Sequence, residues 1–178
     1  MKISSKLGVL VFIIVSLWAC EDIDELSEFD ITEDFNTTYT INLPEDSNGM
    51  PQSFTQVETI NIASNQQIQD NLDVIQDVTL NSLTYEISEF SGVESAVVSE
   101  ASLSFADITI AIADIHLQAS DDTNTVYTIS NSEQLNAIAN ALENNNEITG
   151  TVTGMVSATP VTFDIIVNLD VTVTIDLI

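Results

Sequence analysis

The end of the chain shows the clearest alternation of hydrophobic and polar positions. Every second residue from Val161 to Leu177 is apolar, and the positions between them carry mostly threonine, aspartate and asparagine. Such alternation is typical of a β-strand with one buried and one exposed face. A shorter alternation runs from Ile148 to Ala158, and the intervening Thr159-Pro160 turn predicts that the two segments form a hairpin.

Alternating segments earlier in the chain predict further strands. The pattern places strands at 35–43, which ends before Pro44, at 54–62 and at 78–87. Within the last of these, the apolar positions change parity at Asn81-Ser82, which predicts a β-bulge there.

The apolar positions between Val97 and Leu117 change parity twice. A strand of this length commonly bends from one sheet into another, so we expect this segment to form a corner of a sandwich. The polar residues 121–124 then predict a turn, and another strand is expected at 126–129.

Two segments have the 3.6-residue period of an amphipathic helix. Each begins at a serine that precedes a glutamine or glutamate by three residues, which is the spacing of a capping box. These pairs are Ser64 with Gln67, and Ser130 with Glu133. The apolar residues of each helix share one face, and they are Ile68, Leu72 and Ile75 in the first and Leu135, Ile138, Ala139 and Leu142 in the second.

These elements together predict a mainly β fold. We expect an antiparallel β-sandwich-like domain with two short helices, or a closely related α+β arrangement. Residues 35–178 are enough for one domain that buries roughly 70% of its unfolded surface, so they are expected to form a single β-rich domain.

The first twenty residues have a different composition. Lys2 and Lys6 precede an apolar run over 7–18, and Ala19 and Cys20 follow it. The run is shorter than the ~20 residues of a membrane-spanning helix, and the order basic, apolar, small is that of an export signal. Cys20 is the only cysteine, so it has no disulfide partner within the chain. An ordinary secretory signal with a chance cysteine is the alternative.

The residues Leu17-Trp18-Ala19-Cys20 resemble the lipobox of bacterial lipoproteins. The resemblance implies that residues 1–19 are a removable signal peptide and that Cys20 carries fatty acyl chains such as palmitate. The acidic residues that follow, Glu21, Asp22, Asp24 and Glu25, resemble the surface-export signal of Bacteroidetes lipoproteins. That resemblance implies an outer-membrane protein facing the cell exterior. Alternatively, these four acidic residues are only part of a solvated tether. In either case we expect residues 20–34 to form a flexible, acidic tether that is acylated at Cys20.

Charge narrows the classes of partner. Lys2 and Lys6 are the only basic residues besides His116, so removal of residues 1–19 leaves all 28 acidic residues and no lysine or arginine. Nucleic acid is excluded as a partner, because no basic side chain remains to neutralise its phosphates. Binding to anionic lipid headgroups is disfavoured for the same reason, so the expected membrane attachment is through the acyl chains on Cys20.

No motif in the sequence indicates catalysis. His116 follows Asp114 by two residues, which is more typical of a surface contact than of half a catalytic or metal site. No Gly-x-Ser-x-Gly elbow occurs, and no second histidine is present to act as a base. Paired carboxylates for glycoside hydrolysis stay open as an alternative, because the separation of two carboxylates depends on the fold. Since no tryptophan, lysine or arginine follows Cys20 to position a substrate, we expect a protein that is not an enzyme and that has no cofactor.

Acidic turns are the remaining candidates for a metal site. Residues 45–49 and 121–124 have oxygen ligands suited to calcium, but neither matches a calcium-binding loop. Asp164, Asn168 and Asp170 share one face of a predicted strand, and a flat strand does not wrap an ion. Solvated acidic positions are the interpretation, and no metal is expected.

Two hypotheses for function follow. The first is a non-catalytic binding or structural module of the cell envelope, with a protein or glycan partner. The second is an anchored assembly subunit, resembling the lipoprotein pilins of the same bacterial group, that donates its C-terminal strand to a neighbour. The long alternating segment from Val161 to the terminus motivates the second hypothesis. Such pilins mature by cleavage after an arginine, and the mature chain contains none.

Overall fold

The computed structural model describes residues 28–47 and 49–177. Nine strands make up most of these residues: β1 Glu28–Leu43, β2 Gln52–Asn61, β3 Ile75–Gly92, β4 Val97–Phe105, β5 Ile108–Ile112, β6 Ile115–His116, β7 Val126–Ile129, β8 Glu147–Val156 and β9 Val161–Asp176. The α-helices are α1 Gln66–Gln69, α2 Leu117–Asp122 and α3 Ser132–Asn145, with short 3₁₀ turns at Ile62–Ser64 and Leu72–Val74. No described helix is both long and apolar enough to cross a membrane.

The strands form two antiparallel sheets that face each other. The first sheet has the order β1-β9-β3-β7, and the second has the order β2-β8-β4-β5, with β6 also pairing with β4. Since β5 and β6 lie along the same partner strand, they act as one interrupted strand. The chain then crosses between two four-stranded sheets in the order of a jelly roll. The predicted β-sandwich class is confirmed.

The core lies between the two sheets, and β9 is its largest contributor. All eight odd-numbered residues from Val161 to Ile175 are buried, whereas the even-numbered residues of β9 are partly exposed. Phe163 of β9 meets Phe54 of β2 edge to face, with ring centroids 5.9 Å apart, and this contact joins the two sheets. The predicted alternation over this segment is confirmed.

Helix α3 covers part of the interior beside β3. Its buried residues are Ile138, Ala139 and Leu142, which belong to the predicted apolar stripe. The helix begins one residue later than predicted, because Asn131 and not Ser130 is the N-cap and accepts hydrogen bonds from the backbone of Glu133 and Gln134. It ends at Asn146, which has the left-handed conformation common at helix C-termini.

Helix α1 is shorter than predicted. It has four residues, Gln66–Gln69, and a separate 3₁₀ turn holds Leu72. The N-cap is Asn65, whose side chain accepts hydrogen bonds from Gln67 and Ile68, so the Ser64 capping box is wrong. Of the predicted apolar stripe, Ile68 is fully buried, whereas Leu72 and Ile75 are only partly buried.

The predicted C-terminal hairpin is also wrong. β8 pairs with β2 and β4 in the second sheet, whereas β9 pairs with β1 and β3 in the first. Thr159-Pro160 therefore carries the chain from one sheet to the other. Two strands that face each other across a core have the same alternation as two strands that pair, so the pattern could not distinguish these arrangements.

The segment from Val97 to Leu117 does not bend between sheets as predicted. A tight turn at Ala106-Asp107 folds it into the β4–β5 hairpin, and both strands stay in the second sheet. Ala106 adopts φ 49°, the left-handed conformation that a tight turn requires. The first parity change therefore marks a hairpin. The predicted turn at 121–124 is partly wrong, since Asp121 and Asp122 end helix α2.

Two other expectations concern the edges of elements. The predicted bulge at Asn81-Ser82 is confirmed by a register shift between Leu80 and Ser82 against β9. The flexible tether was expected to extend to residue 34, but β1 begins at Glu28 and pairs with β9 from that residue onward. Within residues 28–34, Ile31 is buried and every residue is paired with β9, so this segment is part of the first sheet.

Candidate functional site

The predicted lipidation and export residues lie outside the described part of the chain. Cys20, Glu21, Asp22, Asp24 and Glu25 all precede Glu28, the first described residue. Their roles therefore stay predictions. The structure does describe where the chain enters the domain, which is the start of β1.

The two ends of the sandwich differ in what they contain. At one end, which we call the entry end, Glu28 of β1 lies opposite Asp176 of β9, and β3 begins beside it at Ile75. At the other end, which we call the loop end, the connections 44–51, 93–96 and 157–160 come together. The entry and loop ends are separated by the length of β1, about 50 Å for sixteen residues.

Hydrogen bonds to Thr159 hold two connections together at the loop end. Its hydroxyl accepts from the backbone N–H of Asp46 at 3.1 Å and from Nε2 of Gln52 at 3.2 Å. The carboxylate of Asp46 accepts from the backbone N–H of Met50 at 2.7 Å, and the Met50 side chain is 62% exposed. Asp46, one of the residues considered for calcium, therefore closes its own turn.

The predicted pair of Asp114 and His116 does not form a site with other titratable groups. Both side chains are exposed, with Asp114 between β5 and β6 and His116 at the end of β6. Within residues 28–47 and 49–177, no group of three or more His, Cys, Asp or Glu side chains is placed to hold a metal ion.

The outer face of the first sheet, which we call the acidic face, carries most of the charge on the sheets. Strand parity and register place carboxylates there from β1, β9 and β3: Glu28, Asp30, Asp34, Asp164, Asp170, Asp176, Asp77 and Glu86. Asp164, Asn168 and Asp170 do share this face, as predicted. The side chains of this face stay partly or fully exposed.

Asp34 and Asp170 are direct neighbours on the acidic face. They occupy opposing positions of β1 and β9, and with Thr32 and Glu33 they line a shallow cleft of about 260 Å³. Asn81, displaced by the bulge in β3, donates a hydrogen bond to Asp170 at 3.0 Å. Like charges at directly opposed strand positions are destabilising, and one amide donor offsets this only in part.

The outer face of the second sheet is built differently, and we call its centre the hydroxyl face. Its side chains form cross-strand rows in which β8 lies between β2 and β4: Thr55, Thr153, Ser102 and Ala111 in one row, Val57, Thr151, Ser104 and Thr109 in the next, and Thr59 with Thr149 beyond. None of these residues has a formal charge. Carboxylates lie around the hydroxyl face: Glu58 in β2 has the inward parity of that strand, Asp107 lies in the β4–β5 turn, Glu100 lies in a bulge of β4 and Glu147 begins β8.

Hydrogen bonds between hydroxyl groups link neighbouring strands within the hydroxyl face. The hydroxyls of Ser102 and Thr153 are 2.9 Å apart, and those of Ser104 and Thr109 are 3.1 Å apart. Each hydroxyl can donate one hydrogen bond and accept two, so every paired hydroxyl keeps capacity for an external partner. The face was not predicted from the sequence, although the uncharged alternate positions Thr149, Thr151 and Thr153 were a signal for it.

A buried hydroxyl lies on the inner side of the same sheet. Tyr39 is fully buried, and its hydroxyl has no hydrogen-bond partner among the described residues. Burial, with a smaller contribution from the nearby Glu58 carboxylate, raises the pKa of Tyr39 well above 10.0. The hydroxyl lies against Gly150 of β8, where a Cβ atom would overlap it. Tyr39 therefore fills space in the core and is unsuited to proton transfer near neutral pH.

Comparison with known proteins identifies no family. No family model matches the chain, and no curated protein matches it. Similar solved structures include a decameric BFDV capsid protein, with a TM-score of 0.45 and 10% identity over 82% of this chain and 99% of that chain. They also include a 60-mer BFDV capsid protein (TM-score 0.36, 8% identity, 82% and 94% coverage) and Desmodium yellow mottle tymovirus (0.30, 11%, 84% and 90%).

These similarities carry no statement about what the protein does. Identities near one residue in ten show nothing beyond a fold, and unrelated functions occur on the same β-sandwich architecture. The jelly-roll assignment rests on the strand order of the two sheets, which is independent of the comparisons.

Proposed function

We propose that this chain is a lipoprotein of the bacterial outer membrane that faces the cell exterior and acts as a non-catalytic binding or structural module of the envelope. The observation that carries the proposal is the sequence Leu17-Trp18-Ala19-Cys20, followed directly by the acidic cluster of Glu21, Asp22, Asp24 and Glu25. Acyl chains on Cys20 supply the membrane attachment, since no lysine or arginine follows Cys20 to bind anionic lipid.

The position of β1 supports a close attachment to the membrane. Only residues 21–27 separate Cys20 from Glu28, the first described residue that pairs, and seven residues reach at most ~25 Å. In this arrangement the entry end lies near the lipid, and the loop end can extend by the ~50 Å length of β1. The connections 44–51, 93–96 and 157–160 are then the part of the domain displayed farthest from the membrane.

The non-catalytic part of the proposal rests on composition. No lysine or arginine follows Cys20, and the one histidine, His116, is exposed at the end of a short strand. Such groups are the charged side chains that most often bind an anion or stabilise one as it forms. A displayed surface on a rigid sandwich needs none of them.

Cell fractionation tests the attachment. Cys20→Ala is expected to abolish incorporation of radiolabelled palmitate and to move the protein out of the outer-membrane fraction. A variant with Glu21, Asp22, Asp24 and Glu25 replaced by glutamine or asparagine is expected to stay lipidated but to lose reactivity with an antibody on intact cells. The matched control replaces four distant acidic residues, Asp73, Asp107, Asp121 and Asp122, by asparagine and should remain on the surface. Palmitate incorporation by Cys20→Ala would contradict the proposal.

The assembly-subunit hypothesis is a second proposal, and one observation bears on it directly. β9 lies between β1 and β3, pairs with both along its length, and buries eight side chains in its own core. Donation to a neighbour would require β9 to leave this position, at the cost of much of the core. Size-exclusion chromatography separates the two hypotheses, because a monomer is expected for the module and a ladder of strand-exchanged polymers for the assembly subunit.

A further inference from the structure

The hydroxyl face combines regular spacing with an absence of formal charge. Neighbouring strands lie ~4.8 Å apart, and residues two positions apart on one strand lie ~6.7 Å apart. Thr151 and Thr153 of β8 are at its centre. Thr153 has hydroxyl-bearing neighbours on both adjacent strands, whereas Thr151 has Ser104 on β4 and Val57 on β2. The face therefore presents a two-dimensional array of hydroxyl and methyl groups.

The distribution of charge indicates which partners would choose this face. A cationic partner would be attracted to the acidic face, where carboxylates extend from Glu28 to Asp176 and Asp164. An anionic partner would be repelled by the whole molecule, since the described residues contain no lysine or arginine. Only an uncharged partner has reason to prefer the hydroxyl face.

The size and chemistry of the hydroxyl face argue against a protein partner. Four strands and three rows cover roughly 300–400 Å² by these spacings, whereas a stable protein interface buries about 800 Å² on each partner. Interfaces between proteins also centre on aromatic or arginine anchors. In these rows and in the adjoining row, where Met155 lies between Ser53 and Ser99, the large apolar side chains are Met155 and Val57, which is 54% exposed, and neither is aromatic.

We propose that the hydroxyl face binds a neutral polysaccharide. The repeated hydroxyl groups of such a polymer can exchange hydrogen bonds with successive rows of the sheet, and many weak contacts along one chain add up by multivalency. This inference rests on the proposed function, because a protein displayed on the cell exterior meets such polymers, and it names the partner class of that module.

The test is binding of the full chain, purified in a nonionic detergent, to insoluble polysaccharide particles. The neutral probes are a β-1,3-glucan, a β-1,4-glucan and a mannan; the charged probes are alginate and chitosan. We expect binding to at least one neutral probe that persists at high salt. Replacement of Thr151 and Thr153 by valine keeps the side-chain shape but removes both hydroxyls, and it should weaken binding roughly tenfold.

Two control variants make the result specific. Thr38 and Thr40 lie on the acidic face, so Thr38→Val with Thr40→Val makes the same chemical change elsewhere and should leave binding unchanged. Thr151→Ser with Thr153→Ser keeps the hydroxyls and should retain most of the binding. Circular dichroism melts of each variant establish that the fold is intact.

Several outcomes would overturn the inference. The first is that the protein binds no neutral probe, and the second is that the control variant on the acidic face loses as much binding as the variant of Thr151 and Thr153. The third is that the protein binds chitosan alone and that salt abolishes this binding. The fourth is that the wild type forms concentration-dependent dimers that the variant of Thr151 and Thr153 does not form. Binding to polysaccharide is measured on purified protein, whereas the location of the protein is tested by the palmitate and antibody experiments. A failure of one proposal can therefore be distinguished from a failure of the other.

Discussion

The two sheets of this protein have a similar inner construction and opposite outer surfaces. Both alternate buried and exposed residues, and both contribute to one core. On the outside, β9 alternates threonine with aspartate and asparagine, whereas β8 carries threonine without a carboxylate until its first residue, Glu147. The two outer faces therefore differ in the negative charge that they present, and the proposed partner of the hydroxyl face depends on this difference.

The inner sides also differ in how they fill the core. β9 contributes large side chains at every inward position, whereas β8 has Gly150 and Gly154 at two of its inward positions. Aromatic side chains from neighbouring strands occupy the space above these glycines. They are Tyr39 and Phe105 at Gly150, and Phe54 at Gly154. β9 is therefore expected to be sensitive to loss of volume, and β8 to gain of volume.

The largest effect is expected at Phe163 in β9. Phe163→Ala removes a fully buried ring that contacts Phe54 across the core, and it should lower the free energy of unfolding by about 3–5 kcal/mol. The neighbouring Thr162→Ala, on the outer side of the same strand, serves as the control and should change it by less than about 0.5 kcal/mol. Urea denaturation measures both, and equal effects would show that β9 does not form the core.

The next effect is expected at Gly150 in β8. Gly150→Ala places a methyl group against the Tyr39 hydroxyl and the Phe105 ring, and it should destabilise the protein by about 1–3 kcal/mol. Tyr39→Phe removes the closest contact, so the double variant should be more stable than the sum of the single effects predicts. Strict additivity in a double-mutant cycle would contradict the contact.

The buried hydroxyl of Tyr39 gives a smaller effect with a pH signature. Tyr39→Phe removes a buried donor that has no partner, so it should be neutral or should raise stability by about 1 kcal/mol at pH 7. The pKa of Tyr39 is higher in the folded than in the unfolded chain, so the unfolded chain loses its proton first and stability falls as pH rises above about 10.

The Tyr39→Phe variant should show a weaker loss of stability above pH 10. Part of the loss should remain, because burial also raises the pKa of Tyr85, with Tyr127 contributing less. Denaturation midpoints at pH 8, 10 and 11 measure the difference. A parallel decline in wild type and variant would contradict the burial of the Tyr39 hydroxyl.

The smallest effect is expected on the acidic face. Asp34→Asn removes one of two opposed carboxylates, and it should raise stability by about 0.2–1 kcal/mol at low salt, with the gain fading as salt is added. Glu45→Gln in the loop makes the same charge change away from the sheet and is the control. A gain that does not depend on salt would contradict electrostatic repulsion as its cause.

These contrasts explain what the sequence could and could not predict. Alternation predicts which side chains are inside, and the inward residues of β9, the bulge at Asn81-Ser82 and the apolar stripe of α3 are confirmed. Alternation does not predict which strand is the neighbour, because burial on one face is the same for paired and facing strands. This is why β8 and β9 were predicted as a hairpin.

The two outer faces were beyond prediction for a related reason. A face consists of positions from three or four strands that are far apart in sequence, and Thr55, Thr153 and Ser102 become neighbours only through the register of β2, β8 and β4. The acidic face was partly predictable, because Asp164 and Asp170 alternate within one strand. The lipobox-like motif at Cys20 is local, so it can be recognised in the sequence alone, and lipidation of Cys20 stays a prediction.

Thiol labelling of living cells tests the central claim most directly. Acylation occupies Cys20 in the proposed protein, and no other cysteine is present, so a single added cysteine is the only reactive thiol. Thr151→Cys reports on the hydroxyl face and Thr38→Cys on the acidic face. A membrane-impermeant maleimide should label Thr38→Cys on intact cells. The labelling rate of Thr151→Cys divided by that of Thr38→Cys should be several-fold lower on cells than in purified protein. Labelling of both only after lysis would contradict the exterior location, and an unchanged ratio would contradict a partner on the hydroxyl face.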